Sequence, residues 1–452
     1  MSESKPIREE RSLLKQISRS IFPAPLIPRT ESQRKRFLLR NLVLHFRPTT
    51  VEASTVRFSL SWGLGGMAVI LVVLQLASGV LLKFAYDPTP LAAYTSVQEL
   101  IHNVPFGRLI RNMHHWCAHL LVLVAFLHLL RVFYTGAFHP PRQFNWIVGL
   151  VQLGLILAAN FTGYLLPWDQ LAYWAVTVST SMLSYVPWFG EVLRQLLLTG
   201  PDMGAGTLRL FFALHTAVVP MVLIATMAFH FWRIRKAGGL VRFPCPNTDN
   251  TRRIPVQPDL LLRETAVALV LIAAVLYVSI LFDAPLGEPA NPGLSPNPTR
   301  APWYFAGFQE LLLHLHPFFA VCAVPLVFGI AIMSIPYLKY EKPSGGVWFV
   351  SPVGIKVVLI AVATAAVLTP AAVLLNEGLL TVFKGMAGSG WIPFVVIVLV
   401  LAAIYAAFLH IGQASTHIAV QGVFTFVMTV FVVLTMINLW FRGEGMALKL
   451  PW

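Results

Sequence analysis

The sequence predicts an all-α, polytopic transmembrane helix bundle of about nine spans, because of its composition and its recurring apolar stretches. Hydrophobic residues make up 57% of the 452 residues and charged residues 12%, and the mean hydropathy is +0.71. Ordinary soluble domains contain roughly 25% charged residues, so this composition excludes a water-soluble fold. A helix needs about 20 apolar residues to cross a ~30 Å hydrocarbon core. Such stretches occur at 58–84, 114–134, 146–166, 210–232, 262–282, 318–338, 354–375, 391–410 and 417–441.

The distribution of basic residues predicts how the spans are oriented. The formal net charge is +14, and Arg and Lys concentrate in segment 1–56 and after the fourth span, whereas loops 167–209 and 283–317 contain few. Cytoplasmic loops carry an excess of Arg and Lys. We therefore expect a multi-pass protein of the cell (inner or plasma) membrane, with a cytoplasmic N-terminus, no cleavable signal peptide and no nucleic-acid partner. Basic–apolar patterns at 13–22 and 34–47 predict interfacial helices.

Four histidines within the predicted spans form two pairs. His114 and His128 are 14 residues apart in the second span, and His215 and His230 are 15 apart in the fourth. Either interval returns to nearly the same face of an α-helix and separates the side chains by ~21 Å along its axis. Neutral imidazole is a common axial ligand of haem iron. Two such helices can therefore hold two metal centres, one near each leaflet.

Two glycine pairs repeat the histidine interval. Gly65 and Gly79 are 14 residues apart in the first span, and Gly149 and Gly163 are 14 apart in the third. Glycine has no Cβ, so it lets another surface approach the backbone closely. Close helix packing is one use of such glycines in membranes. The shared interval favours a second use, in which flat macrocycles lie against the two helices.

The predicted orientation assigns these residues to two depths. The outer set is His114, His215, Gly79 and Gly163, and the inner set is His128, His230, Gly65 and Gly149. Arg111 and Arg131 lie three residues from the ligand histidines of the second span, which predicts contacts with haem propionates. Snorkelling at helix ends would place these arginines similarly. His115 and His119 lack matching partners, so we predict structural hydrogen bonds for them.

Three stretches carry longer motifs. They read R-N-M-H-H-W-C-A-H at 111–119, F-T-G-Y-L-L-P-W-D-Q at 161–170 and T-L-R-L-F-F-A-L-H at 207–215. Together they resemble cytochrome b of the quinol-oxidising cytochrome bc (Rieske/cytochrome b) complexes. The 15-residue histidine interval and the phrase L-P-W-D-Q-L-A-Y-W-A-V are most similar to the chloroplast and cyanobacterial branch. The resemblance is strong over 57–245 and recognisable to about residue 340.

The resemblance implies an N-terminal four-helix dihaem bundle and a quinol–cytochrome c reductase that is active only with partner subunits. Of the two b haems, the outer would have the lower potential and the inner the higher. Quinol would be oxidised near loop 283–317, and a quinone would be reduced near the inner face. The implied partners are a Rieske iron–sulfur protein or equivalent, a c-type cytochrome and a second copy of the complex. The chain has no C-x-x-C-H motif and only three widely spaced cysteines, so those partners would supply the other redox ligands.

Two positions depart from the family pattern. P-W-Y-F (302–305) resembles the quinol-site motif P-E-W-Y, but Pro302 stands where the family has an acidic residue. Trp303 and Tyr304 keep the aromatic part of the site, and Glu310 is our candidate for the missing proton acceptor. Loss of that acid would suit a low-potential menaquinone. Gly63 stands where the chloroplast branch has a cysteine that tethers an extra haem, so no covalent link is expected.

The resemblance also divides the chain. The predicted regions are a basic N-terminal segment (1–56), a dihaem domain (57–245), a region with the quinol-site loop (246–345) and additional spans (346–452). A dihaem membrane anchor of another quinone-linked oxidoreductase is one alternative, but it would have only four or five spans. A non-redox proton-coupled transporter is the other, but it would show internal repeats or broken helices.

Overall fold

The computed structural model describes residues 13–21, 30–31, 50–241, 252–341, 345–379, 385–411 and 415–449. Within these ranges, nine helices are long and apolar enough to cross a membrane. The predicted all-α bundle of about nine spans is therefore confirmed. The domain boundaries stay predictions, and the 34–47 stretch and Cys245 lie outside the described residues.

The first half of the chain supplies four of the spans, which are α3, α5, α6 and α9. Its elements are α1 (Leu13–Ile21), β1 (Thr50–Glu52), a 3-10 turn (Ala53–Val56), α2 (Phe58–Ser61), α3 (Leu64–Lys83), α4 (Ala93–His102), α5 (Gly107–Tyr134), α6 (Gln143–Tyr164), α7 (Gln170–Ser181), a second 3-10 turn (Met182–Tyr185), α8 (Gly190–Leu198) and α9 (Ala205–Lys236).

The second half supplies the other five spans, which are α10 and α12 to α15. Its elements are β2 (Arg253–Pro255), α10 (Leu261–Leu281), α11 (Trp303–His314), α12 (Phe319–Tyr337), α13 (Pro352–Leu379), α14 (Met386–Ile411), α15 (Thr416–Phe441) and a 3-10 turn (Glu444–Met446). The short helix α11 does not span. It carries the P-W-Y-F motif between α10 and α12.

One apolar core joins the four N-terminal spans. Leu71 of α3, Leu121 of α5, Ile156 of α6 and Leu223 of α9 are all buried in it, and Tyr304 of α11 packs into the same cluster. Apolar side chains inside a membrane bundle gain no hydrophobic energy from lipid, so close packing and interhelical hydrogen bonds hold such helices together. The predicted four-helix arrangement of the N-terminal half is thus present in the structure.

The last three spans form a second packing unit beside the four-helix bundle. Val357 of α13, Phe408 of α14 and Ile418 of α15 share a buried core. Helix α15 also lies along α11, where an added Cβ on Gly307 would come 2.7 Å from Thr435 Oγ1. The sequence analysis assigned the last two spans no role. The structure places the final one against the helix that carries P-W-Y-F.

Short contacts fix the segments that precede the first and fifth spans. Strand β1 pairs antiparallel with β2, with Val51 opposite Ile254. The amphipathic helix α1 predicted from 13–22 is present over Leu13–Ile21, and Arg233 donates to the carbonyl oxygens of Ser20 and Ile21. Because Arg233 belongs to α9, this contact ties α1 to one end of the four-helix bundle.

Candidate functional site

The structure brings the predicted outer histidine pair together across α5 and α9. The ring centres of His114 and His215 are 6.0 Å apart, with an interplanar angle of 77°. Two metal–imidazole bonds of about 2 Å each, plus the distances from ring centres to nitrogens, span about 6 Å. At the other end of the bundle, Gly65 of α3 lies beside the His128 ring and Gly149 of α6 lies beside the His230 ring. We call the end with His114 and His215 the outer end, after the orientation predicted from loop charges.

A π-helical turn explains how unequal intervals give matched depths. The interval is 14 residues in α5 but 15 in α9, and residues Leu214–Val218 around His215 form a π turn. A π turn takes up one more residue than an α turn, and such turns are frequent at functional sites. The extra residue is therefore absorbed at the histidine itself, and His215 faces His114.

Each predicted glycine lies against one predicted ligand histidine. An added Cβ on Gly65 would come 3.5 Å from His128 Cε1, and one on Gly79 would come 3.1 Å from His114 Cε1. In α6, an added Cβ on Gly149 would come 3.7 Å from His230 Cε1, and one on Gly163 would come 2.5 Å from His215 Cε1. The surface that these glycines admit is thus the imidazole ring, whereas the sequence analysis assigned that space to the macrocycle.

The donor set fits an iron porphyrin. Among the described residues, His114 and His215 form hydrogen bonds through Nδ1, the rings of His128 and His230 form none, and no hydrogen bond uses Nε2 of any of the four. A histidine that binds a metal through one nitrogen commonly donates the other N–H to an oxygen. All four Nε2 atoms therefore remain for iron, and the glycines leave room for the rings that carry them.

The two predicted propionate arginines have different surroundings. Arg131 is only 4% exposed; its Nε donates to Leu60 O at 2.8 Å, and its Nη2 has no hydrogen-bond partner among the residues that the structure describes. A buried, unpaired guanidinium N–H is costly, so a propionate would satisfy it. Arg111 instead donates from Nη1 and Nη2 to Ala284 O and Pro285 O, both at 2.7 Å. The contact of Arg111 with a propionate stays a prediction. Its hydrogen bonds to Ala284 and Pro285 hold the outer loop, a role that the sequence analysis did not predict.

The P-W-Y-F helix docks on the helix that carries His114 and His128. Trp303 Nε1 donates to His119 Nδ1 at 2.7 Å, and the Tyr304 ring lies 6.0 Å from the His119 ring. Pro302 is the residue that precedes α11, where it starts the helix. The hydrogen bond predicted for His119 is thus present, and it joins the haem-ligand helix to the aromatic residues of the predicted quinol site.

The D-Q of the P-W-D-Q motif holds the loop that leads to P-W-Y-F. Asp169 Oδ2 accepts from Gly287 N at 3.0 Å, while its Oδ1 accepts from Ala172 N at 2.8 Å and caps α7. Gln170 N donates to Glu288 O at 2.7 Å. The sequence analysis quoted this motif but gave these two residues no role. The sequence signal that could have indicated this role is a pair of polar residues, Asp169 and Gln170, that follows the third span.

The start of the same loop is fixed by α5. Asp283 accepts hydrogen bonds from Arg108 Nε at 2.6 Å and Asn112 Nδ2 at 3.0 Å, and Trp116 donates to Phe282 O. The bond and charge of Arg108, followed by the bond of Asn112, lower the pKa of the Asp283 carboxyl to about 2. The loop is therefore attached to both α5 and α7 before it reaches the P-W-Y-F helix.

Glu310 lies in a buried ionic network on α11. Its side chain is fully buried, and Arg442 donates to it through Nη2 at 2.5 Å and Nε at 3.1 Å. His314 Nε2 and Asn438 Nδ2 lie 3.1 and 3.3 Å from its oxygens. Arg442 Nη1 also donates to Glu377 at 2.6 Å. Within the described ranges, each hydrogen bond of the Glu310 carboxylate is to this network, and none joins it to Trp303 or Tyr304.

Comparison with known proteins agrees with this geometry. The family model described as "Cytochrome b/b6/petB" matches residues 50–238. "Cytochrome b6" of Heliomicrobium gestii is 44% identical over 175 residues, which are 39% of this chain and 82% of that protein. "Cytochrome b6" of Prochlorococcus marinus is 42% identical over 175 residues and 80% of its length. These matches confirm the resemblance carried by the motifs.

A solved structure extends the likeness of the fold beyond that region. A chain of "Hyperthermophilic respiratory Complex III" superimposes with a TM-score of 0.64 over 90% of this chain and 97% of its own length. The two sequences are 20% identical, so the match concerns the fold. It shows that the C-terminal spans belong to the same arrangement of helices.

Proposed function

Because the chain belongs to the cytochrome b/b6 family, we propose that it holds two b haems and carries electrons from a quinol across the membrane as part of a quinol:cytochrome c-type oxidoreductase. It is a multi-pass redox subunit that binds haem b. The observation that carries the proposal is that His114 and His215 face each other and that each of the four proposed ligand rings has a glycine beside it. The assignments are His114 with His215 and His128 with His230.

The arrangement suits charge transfer across a low-dielectric layer. Haem supplies one-electron chemistry, and the protein fixes the ligands, the spacing and the surroundings. Moving one charge across the membrane costs about 2.3 kcal/mol per 100 mV. The inner centre must therefore have the higher potential for electrons to flow inward. Here the N-terminus lies in the cytoplasm, the membrane is the cell membrane, and the inner quinone accepts the electrons.

The outer loop is the place proposed for quinol oxidation. Trp303 and Tyr304 stand on α11 directly behind Pro302, and His119 joins them to α5. The hydrogen bonds to Asp169 and Asp283 hold the loop that leads there. The quinol's other electron leaves through partner subunits, a Rieske iron–sulfur protein or equivalent and a c-type cytochrome, within a homodimeric complex. A menaquinone fits the absence of an acid at Pro302.

A redox titration of the purified complex tests the proposal. We expect a reduced b-type α-band that titrates in two separate steps, because two bis-histidine centres with different surroundings have different potentials. Mass spectrometry of co-purifying subunits and bound quinone would identify the partners. A spectrum without a b-type band would contradict the proposal and favour a proton-coupled transporter. A single titrating haem would contradict the dihaem assignment.

A Glu310→Gln variant tests the proposed proton acceptor. Burial acts to raise the pKa of the Glu310 carboxyl, but bonds from His314 and Arg442 outweigh it and hold that pKa below its usual value. Glu310 is therefore an anion at neutral pH, the form that can take a proton. We expect steady-state quinol oxidation to slow on the order of 100-fold, with unchanged haem content.

Glu377→Gln is the matched control for this variant. Glu377 is the other carboxylate bound by Arg442, and its side chain is 35% exposed. Its removal should change quinol oxidation little, because Glu310 stays ionised and paired. Unchanged turnover in Glu310→Gln would remove Glu310 from the proton path. Equal slowing in both variants would show that the effect passes through the position of Arg442.

A further inference from the structure

The outer ligand His114 has a hydrogen bond that determines its tautomer. Ser78 Oγ lies 2.9 Å from His114 Nδ1 and donates its own hydrogen to Leu74 O at 2.6 Å. Ser78 is fully buried. A hydroxyl has one hydrogen to donate, so Ser78 Oγ accepts the hydrogen of Nδ1–H. The hydrogen-free Nε2 of His114 is thereby available to iron.

The second outer ligand is also bonded through Nδ1, but to the backbone. His215 Nδ1 donates to Ala159 O at 2.9 Å. Thr162 Oγ1 is more distant from this nitrogen, at 3.5 Å, and donates to Ala158 O at 2.8 Å. At His215 the acceptor is thus a carbonyl that no side-chain substitution removes. In the outer pair, the Nδ1–H of His114 thus donates to a side chain, the Ser78 hydroxyl, whereas that of His215 donates to the backbone.

The inner ligands have no such bonds. The Nδ1 atoms of His128 and His230 are buried, and neither has a hydrogen-bond partner among the described residues. The two histidine pairs therefore differ in the surroundings of their ligands, although their glycines and spacing match.

The sequence repeats this difference in both glycine helices. In α3, Ser78 precedes the outer glycine, and Leu64 precedes the inner one, 14 residues earlier. In α6, Thr162 precedes the outer glycine, and Val148 precedes the inner one. A hydroxyl thus stands beside each outer ligand, and an aliphatic side chain occupies the same place in the repeat at each inner ligand.

We propose that Ser78 is a positioning residue that lowers the reduction potential of the outer haem, and that Leu64 at the equivalent inner place leaves the inner haem at a higher potential. The inference rests on the proposed dihaem function. An acceptor at Nδ1–H makes imidazole a more basic ligand. A more basic ligand stabilises ferric over ferrous iron, and hydrogen bonding around the ligands is one of the protein's levers on haem potential. The resulting difference directs electrons from the outer centre to the inner one.

A Ser78→Ala variant of the whole complex tests the proposal by spectroelectrochemical titration. We expect reduction of the outer haem to become about tenfold more favourable, which is an upward shift of 59 mV for one electron, while the inner haem keeps its potential. Thr162→Ala is the matched control. It removes a hydroxyl from the same place beside His215, yet the Ala159 carbonyl remains, so the outer potential should stay near its wild-type value.

The reciprocal variant Leu64→Ser keeps the test decisive if Ser78→Ala loses its outer haem. A hydroxyl placed beside His128 Nδ1 should lower the potential of the inner haem and leave the outer one unchanged. An unshifted outer potential in a Ser78→Ala complex that retains both haems would overturn the proposal. If Ser78→Ala cannot be loaded, an unshifted inner potential in Leu64→Ser would overturn it. Absence of haem from the wild-type complex would instead contradict the proposed function.

Discussion

Replacement of His128 by alanine is expected to abolish the inner haem signal and to leave most of the outer one. His128 is paired with His230 of α9 in the proposed assignment, and an added Cβ on Gly65 would come 3.5 Å from His128 Cε1. Alanine has no atom that could bind iron, so the inner site would keep only one of the two histidines proposed to hold its haem. The outer pair lies ~21 Å away along the helix axis, which is why it should keep its haem. Reduced-minus-oxidised difference spectra of the purified complex would measure both signals.

The matched control is His115→Ala. His115 lies on α5, as His128 does, and packs against Trp116 and His119. Among the described residues its ring contacts are with residues of α5 and none is with a histidine of α9, so its removal should leave both haem signals in place. Survival of both signals in His128→Ala would show that the ligand assignment is wrong. Loss of both signals in His115→Ala would show that the spectra report the integrity of α5 and not ligation.

Replacement of Arg442 by alanine is expected to destabilise the protein by about 3–5 kcal/mol, because it leaves a buried carboxylate unpaired. Glu310 is fully buried, and Arg442 is 3% exposed and binds both Glu310 and Glu377. Burial lowers the pKa of the Arg442 guanidinium, but its bonds to the two carboxylates outweigh burial and raise that pKa. Thermal unfolding of the detergent-solubilised complex, followed by loss of helicity, would measure the change in stability.

A double variant separates the unpaired charge from lost packing. Arg442→Met alone fills much of the arginine's place but leaves Glu310 unpaired, so it should stay destabilised. In Glu310→Gln with Arg442→Met, both buried charges are gone, and most of the lost stability should return, since buried ion pairs are often replaceable by uncharged groups. The carboxyl pKa of Glu310 is held below its usual value, so the pair is complete above about pH 4.3 and weakens as the pH falls through the lowered value. Equal instability in the single and double variants would contradict the role of the charge.

The positions of the spans along the chain could be predicted from the lengths of the apolar stretches alone. Each of the nine predicted spans overlaps one helix, although the second begins at Gly107, where the apolar pattern suggested 114. The difference arises because Arg108 and Arg111 lengthen the helix beyond the apolar stretch and bind the outer loop. Hydropathy identifies the part of a helix that lies in lipid, whereas hydrogen bonds to other segments decide where the helix ends.

The histidine and glycine positions were predictable because they repeat along single helices. The identity of each glycine's neighbour was not, since it depends on how α3 packs on α5 and α6 on α9. The same limit applies to Asp169, which was visible as part of a motif but whose partner Gly287 is 118 residues away. Glu310 was selected from sequence as a substitute for the missing acid of the motif, yet its partner Arg442 directly follows the final span, 132 residues away.

By itself the sequence determined the class of protein, the number of spans, and the two depths at which histidines and glycines recur. These are periodic properties of one helix at a time, and a regular rise and rotation per residue convert them directly into positions. The tertiary structure decided which nitrogen of His114 carries the hydrogen, how a π turn aligns His215, and what neutralises Glu310. Those outcomes depend on contacts between residues distant in the chain, which only the packing of the helices brings within hydrogen-bonding distance.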